Sequence, residues 1–269
     1  MRTRLKSTTV KTSILLVLCL VLPVVATGQE PPPQAPLATP AKMTPPPASP
    51  PPPPPKREGT AEFAFVGTTG NASTQTMGVS GSVIFRPDLW VITNKAAFVR
   101  NESEGLLTAE SFAYLFRAER ILTQRLGAFG EYAYFRDEFA GVLHRNSLLG
   151  GVSFKLADTA RQLFFVDGGL GYLNEQRLIG PDISTATYAW GAGYRVKISE
   201  TAEFSDDFRF TGGFDDAGGW RIYENAALTA RLTTLFSLKL GFTVRYEHEP
   251  VPGFETTDTT TAIALVAKF

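Results

Sequence analysis

The residues of this chain best placed for chemistry are fourteen charged side chains, each set in a run of alternating polar and apolar positions. They are Arg117, Glu131, Arg145, Lys155, Asp167, Arg195, Lys197, Glu203, Asp207, Arg209, Arg231, Lys239, Arg245 and Glu247. Nine are basic and five acidic. Period-two alternation puts all of them on one face of a strand, and in a closed sheet that face is the interior. Such a set can do one of two things. It can bias a narrow aqueous passage toward anions, or it can pair across the interior and fill it.

Other chemistry has thinner support. A hydrolase needs a nucleophile, a base and an orienting group, and the only histidines are His144 and His248. Ser147 lies three positions from His144, an odd spacing that sends the two to opposite faces of a strand. No catalytic residue and no enzyme activity are therefore expected. Acidic side chains crowd the polar connections (Glu102, Glu104, Asp137, Glu138, Glu175, Asp182, Asp215, Asp216, Glu249, Glu255, Asp258). Hard cations favour such oxygens, but Asp215-Asp216 lacks the spacing of a calcium loop, so neither a metal site nor a cofactor is expected. Cys19 is the single cysteine and follows the bulky Leu18 rather than the small residue that a lipid-attachment site needs.

The elements that must hold these charges are strands. Runs near 62–68, 74–86, 89–100, 106–119, 122–136, 141–156, 162–174, 184–198, 201–213, 219–232, 235–248 and 255–269 make twelve, an even number as single-chain bacterial barrels have. Alternation is clearest in 235–248. There Phe236, Leu238, Leu240, Phe242, Val244 and Tyr246 oppose Ser237, Lys239, Gly241, Thr243, Arg245 and Glu247. Connections after even-numbered strands read as short turns, and those after odd-numbered strands as mostly longer and more polar. Aromatic residues gather near both ends of the runs, as they do at the two interfaces of a bilayer. The sequence predicts an all-β fold: a transmembrane up-and-down antiparallel β-barrel of about 12 strands over residues 60–269.

The ends of the chain point to the same compartment. Arg2, Arg4, Lys6 and Lys11 precede the short apolar run Ser13–Leu22 and the small residues Val24-Val25-Ala26, the pattern of an export signal over residues 1–28. Its removal leaves 22 basic against 26 acidic residues, a balance that argues against a nucleic-acid partner. Residues 29–59 are expected to be a proline-rich, disordered periplasmic arm, since residues 31–55 hold 14 of the 19 prolines and such a segment runs as extended polyproline II. It is a spacer or a tether to peptidoglycan or an envelope protein. At the other end, Thr261 to Phe269 is an amphipathic strand closing on an aromatic residue. Phe269 is expected to be a terminal signal for the barrel-insertion machinery and to sit in the aromatic girdle. The expected location is the bacterial outer membrane, in contact with its lipid and lipopolysaccharide.

Two strands fit awkwardly: 89–100 sets either Asn94 or Lys95 on lipid, and 201–213 puts Asp206 in phase with Phe204, Phe208 and Phe210. A lipid-facing charge is costly, which implies a bulge, a neighbouring partner or a different register. The run Glu62-Phe63-Ala64-Phe65-Val66-Gly67-Thr68-Thr69-Gly70-Asn71-Ala72-Ser73-Thr74-Gln75-Thr76, with Arg100-Asn101-Glu102-Ser103, Asn174-Glu175-Gln176-Arg177-Leu178, Ser199-Glu200-Thr201-Ala202-Glu203 and Val251-Pro252-Gly253-Phe254-Glu255-Thr256-Thr257-Asp258, resembles the salt-induced outer-membrane protein family. The resemblance covers about residues 60–269. It implies an outer-membrane barrel and names no reaction or functional residue. The functional expectation is an envelope structural or salt-stress barrel with a narrow or filled lumen. The alternatives are a small porin-like channel for anionic solutes and, third, a hydrolase.

Overall fold

The computed structural model describes residues 55–68, 74–215 and 219–269. The leader, the arm up to residue 54, residues 69–73 and residues 216–218, Asp216 among them, lie outside the described residues. The rest forms one closed antiparallel barrel in which every strand pairs with its sequence neighbour and β1 pairs with β12. The strands are β1 (Arg57–Thr68), β2 (Thr74–Phe85), β3 (Trp90–Ser103), β4 (Leu106–Ile121), β5 (Leu126–Asp137), β6 (Val142–Asp158), β7 (Gln162–Arg177), β8 (Ile183–Lys197), β9 (Ala202–Gly213), β10 (Trp220–Arg231), β11 (Phe236–Glu247) and β12 (Thr257–Lys268). Apart from one 3-10 turn at Glu138–Ala140 there is no helix among the described residues, and none long and apolar enough to cross a membrane.

Alternation dictates an inside-out distribution. On β8 the odd positions from Ile183 to Gly193 are buried inside, while Tyr188 and Trp190 face outward and are exposed. On β12 Ala264 and Val266 are buried, whereas Ile263 and Leu265 are 60% and 46% exposed. The buried apolar cluster inside is small, made of Phe129, Leu149 and Ala189. A surface this apolar cannot face water, and closure leaves no strand edge unpaired in hydrocarbon. A 12-residue strand at ~3.3 Å per residue and about 40° of tilt rises roughly 30 Å, enough to cross a bilayer core.

The turns that close the hairpins differ at the two ends. At one end three connections share one device. Thr123, Ser199 and Thr233 each use the side-chain hydroxyl oxygen to accept from the amides two and three residues on, and their own amides donate to the first residue of the next strand or its neighbour. This satisfies donors a tight turn would otherwise leave open. At the other end several connections are tighter than the sequence suggests, because strand pairing continues past the expected limits. β3 and β4 pair up to Ser103 and Leu106, leaving a two-residue turn with Glu104 and Gly105 both at positive φ (53° and 76°), the geometry that matches strand twist. β7 likewise continues through Glu175 to Arg177, which the sequence had placed in a loop. The β11–β12 connection, residues 248–256, is the long one.

The two awkward strands resolve without slippage. Lys95 shares the inward phase with Thr93 and Ala97, and Asn94 faces outward, where its side chain accepts a hydrogen bond from Tyr114 Oη at 2.9 Å. Asp206 does face outward, opposite Tyr194 and Ala226, in a β9 whose register is continuous. Glu224 on β10 faces the same way, diagonally across the pairing and opposite Phe208. The β1–β12 seam pairs four residues of each strand, Thr60 to Phe63 with Leu265 to Lys268, flanked by reciprocal bonds between Gly59 and Phe269.

Candidate functional site: the barrel interior

The register puts Arg117, Glu131, Arg145, Lys155, Asp167, Arg195, Lys197, Arg209, Arg231, Lys239 and Arg245 in the inward phase. They do not form one uniform lining. Lys155, Lys197 and Arg231 sit at the short-turn rim, where Lys155 pairs with Asp158 at 2.9 Å and Arg231 donates to the carbonyl of Glu200. The others divide into two ion-pair clusters and a wetter strip.

The first cluster crosses the middle of the lumen. Arg117 on β4 reaches Asp167 on β7 at 2.8 Å and Glu131 on β5 at 3.2 Å. Arg209, from β9, meets the same two carboxylates at 3.1 and 3.7 Å. Glu119, two residues along from Arg117 on the same face, binds it at 3.1 Å and accepts from Ser153 Oγ at 2.6 Å. The Arg117 guanidinium also stacks 3.7 Å above the Phe129 ring. Small residues make the room. A Cβ at Gly191 would stand 2.9 Å from Asp167 Oδ1, and one at Gly127 would stand 2.5 Å from Glu119 Oε1.

The second cluster lies toward the long-loop end. Glu175, wholly buried, accepts from Arg145 on β6, Arg177 on β7 and Arg221 on β10. Glu247 on β11 pairs with Arg145 and Arg221. Arg245 on β11 extends to within 5.3 Å of the Phe135 ring on β5, six strands away and so on the opposite wall. Above this lies a roof. The β11–β12 loop crosses the mouth to the β5–β6 connection, where Val251 is 1% exposed. There a Cβ on Gly141 would stand 2.7 Å from Val251 Cγ1 and 2.8 Å from the Phe254 ring. Gly141 is also left-handed, with φ 75°, so this position needs glycine twice over. Arg177 Nη2 donates to the carbonyl of Glu249 at 3.1 Å and ties the roof to the cluster beneath.

The strip on the remaining wall keeps water. Lys239 pairs with Glu62 at 3.0 Å and Arg195 with Asp207 at 3.1 Å, each pair a quarter to a third exposed. Tyr223 is 40% exposed although it points inward, and Lys95 is exposed as well.

Sequence reasoning missed six of these residues: Glu62, Lys95, Glu119, Glu175, Arg177 and Arg221. Glu119 was findable, since Arg117-x-Glu119 repeats one face of a strand. Glu175-x-Arg177 has the same form but was hidden by ending β7 too early. His144 is outward and shares a 2.8 Å hydrogen bond with Tyr134 Oη, and His248 stacks on Trp220 at 5.1 Å. Both lie outside the lumen. Among the described residues no group of three or more His, Cys, Asp or Glu side chains is arranged to hold a metal. A groove of about 590 Å³ lies on the outer face above Gly130 and Gly150, walled by Phe116, Leu148, Leu170 and Tyr172, and is part of the apolar surface that lipid would cover.

Among curated proteins none is similar in sequence. A family model described as "Protein of unknown function, DUF481" matches residues 61–269. Solved structures with a similar barrel include the NanC porin (11% identical, covering 78% of this chain and 97% of that one, TM-score 0.46). The translocator domain of the autotransporter NalP from Neisseria meningitidis is 10% identical and covers 78% and 86%, with a TM-score of 0.40. The KdgM porin solved with disordered oligogalacturonate is 7% identical and covers 79% and 98%, with a TM-score of 0.36.

Proposed function

Since this chain belongs to the DUF481 family of proteins of unknown function, its role has to be argued from its own barrel, and we propose that it is an outer-membrane protein with a structural or salt-stress role whose lumen is sealed. In this reading the short turns face the periplasm, the roofed end faces outward, and the apolar exterior contacts outer-membrane lipid and lipopolysaccharide. The barrel-insertion machinery would place it there, and the proline-rich arm would reach toward peptidoglycan or an envelope protein.

The observation that carries the proposal is the crossing of the lumen at two levels, by Arg117–Asp167 with Arg209–Glu131 and by the Glu175 cluster under the β11–β12 roof. Twelve strands enclose a space intermediate between a side-chain-filled barrel and an open porin, so its contents decide the outcome. Paired charges spanning that space tie together strands three to five apart, and in this reading they interrupt the water that remains along the other wall. Salt stress fits such a design, because pairs enclosed by protein are screened far less than exposed ones.

The purified protein in a planar bilayer is expected to insert without discrete conductance steps. Steps with a reversal potential favouring anions would overturn the sealed reading and support the second one, a narrow channel for anionic solutes. That reading is favoured by one observation: Lys95 and Arg245 face the interior and form no close salt bridge among the described residues, although Arg245 stands opposite Asp258 in the pairing.

A further inference from the structure

From β7 to β12 the outward phase of the strands carries two charged residues among the described ones, Asp206 on β9 and Glu224 on β10. The register sets Asp206 opposite Ala226 and Glu224 opposite Phe208. The two are therefore diagonal neighbours on one face, with α-carbons about 7–8 Å apart. Each stands four residues from the nearer end of its strand, roughly 10 Å inside the apolar wall. The cations of the same strands do not reach them. Arg195, Arg209 and Arg221 point inward and are taken up by Asp207, by Asp167 with Glu131, and by Glu175 with Glu247. Ionisable side chains within a membrane span are costly and rare, and those that persist mark a contact.

A second feature of this wall points to the kind of contact. Trp190 packs on Phe208 at 4.9 Å between ring centres and on Phe210 at 5.9 Å. Phe210 meets Trp220 at 6.0 Å, and Trp220 meets Tyr246 at 4.7 Å. The rings make one continuous platform over β8 to β11. It descends from Trp220, the first residue of β10, to Phe208, the residue directly opposite Glu224. An aromatic girdle is a band at the interface, whereas this platform runs down the wall and ends at the acids. Aromatic residues and Arg are what the core of a protein–protein interface is enriched in. A guanidinium stacks on rings and binds carboxylates by paired hydrogen bonds. A second copy of this chain does not supply one. Copies in one membrane share an orientation, so a given residue stands at the same depth in each. The outward cations Arg57, Arg100, Arg120 and Arg136 all lie within three residues of a strand end, and Arg100 and Arg136 are held by Glu102, Glu110 and Glu138.

We infer that the β8–β11 wall is a docking face for a different membrane-spanning protein. That partner presents a lipid-facing basic side chain, best an Arg, to Asp206 and Glu224 and lays its apolar surface on the aromatic platform. The inference rests on the outer-membrane placement and holds whether or not the lumen conducts.

The test is photo-crosslinking in outer membranes of cells that make the full-length protein. Photoreactive p-benzoylphenylalanine replaces Ile222, the outward neighbour of Glu224 on β10, or, as the control, Leu148 on the outer face of β6. Position 222 should give one discrete adduct that position 148 does not. Peptide mapping should place the bond in a membrane-spanning segment of another protein, with an Arg or Lys in that segment. Asp206→Asn combined with Glu224→Gln should cut the adduct about tenfold or more. Asp206→Glu should keep most of it, and Lys155→Met, at the rim, should leave it unchanged. Heat-modifiable migration on gels shows that each variant is a folded barrel, and Glu224→Gln alone serves as the loss variant if the pair fails that check. No adduct, lipid adducts only, an adduct with a second copy, a mapped segment without a basic residue, or an adduct undiminished by loss of the acids each overturns the proposal. Protein missing from the outer-membrane fraction overturns the placement, and this contact with it, before any crosslink is read.

Discussion

At the scale of single residues, the interior is held by carboxylates whose removal strands more than one cation. Glu175 neutralises guanidiniums from three strands while wholly buried, so Glu175→Ala would leave Arg145 and Arg221 sharing Glu247 and would take the carboxylate from Arg177. Breaking a buried pair in this way costs about 3–5 kcal/mol, and the midpoint of urea unfolding in lipid vesicles should fall accordingly. Removing the exposed rim cation in Lys155→Met should shift the same midpoint by no more than about 0.5 kcal/mol. The inward set was legible because alternation labels a face residue by residue. Which charges meet was not legible, since Arg117 and Asp167 lie fifty positions apart and only the curvature of the wall lets side chains of β4 and β7, three strands apart, meet. Lys95 shows the limit most clearly. Its neighbour Asn94 is equally polar, and only pairing with β2 and β4 decides which of the two faces in.

At the scale of elements, all twelve strands could be read from period two, with ends shifted where pairing outran the apolar pattern, as in β7. The hydroxyl-capped turns carry a readable signature too, in Leu122-Thr123, Ile198-Ser199 and Leu232-Thr233, each an apolar residue followed by Ser or Thr at a strand end. Replacing Thr233 by Val keeps the shape and deletes the acceptor. It should cost about 1 kcal/mol in unfolding free energy and should leave insertion intact. The β9–β10 hairpin makes the opposite case. Asp206 and Glu224 both stand on the face toward hydrocarbon, where a carboxyl is unfavourable by about 1–3 kcal/mol. The double variant Asp206→Leu with Glu224→Leu should therefore be more stable than wild type. A loss of stability there would mean that these two acids contact something other than lipid.

At the scale of the whole molecule, the sealed reading sets two locks in series across the lumen, and each should suffice alone. Replacing the roof, residues 249–255, with a short Asn-Gly hairpin should leave the protein silent in planar bilayers. So should Arg117→Ala combined with Arg209→Ala. Only the loss of both locks should give steps, and steps from the roof deletion by itself would show that the inner pairs do not seal. The fold class and strand number at this scale were readable from the chain. The roof was not, since Val251 and Gly141 look like ordinary loop residues until closure sets the β5–β6 and β11–β12 connections across from one another. The ring itself is unevenly fastened: β1 and β12 share four paired residues each, whereas β1 and β2 share twelve. A ring fastened that way tears at its clasp. Pulled by Phe269 in single-molecule force spectroscopy, this barrel should open first between β1 and β12 and then peel hairpin by hairpin, beginning with β11–β12, so that the force trace counts down the sheet in pairs.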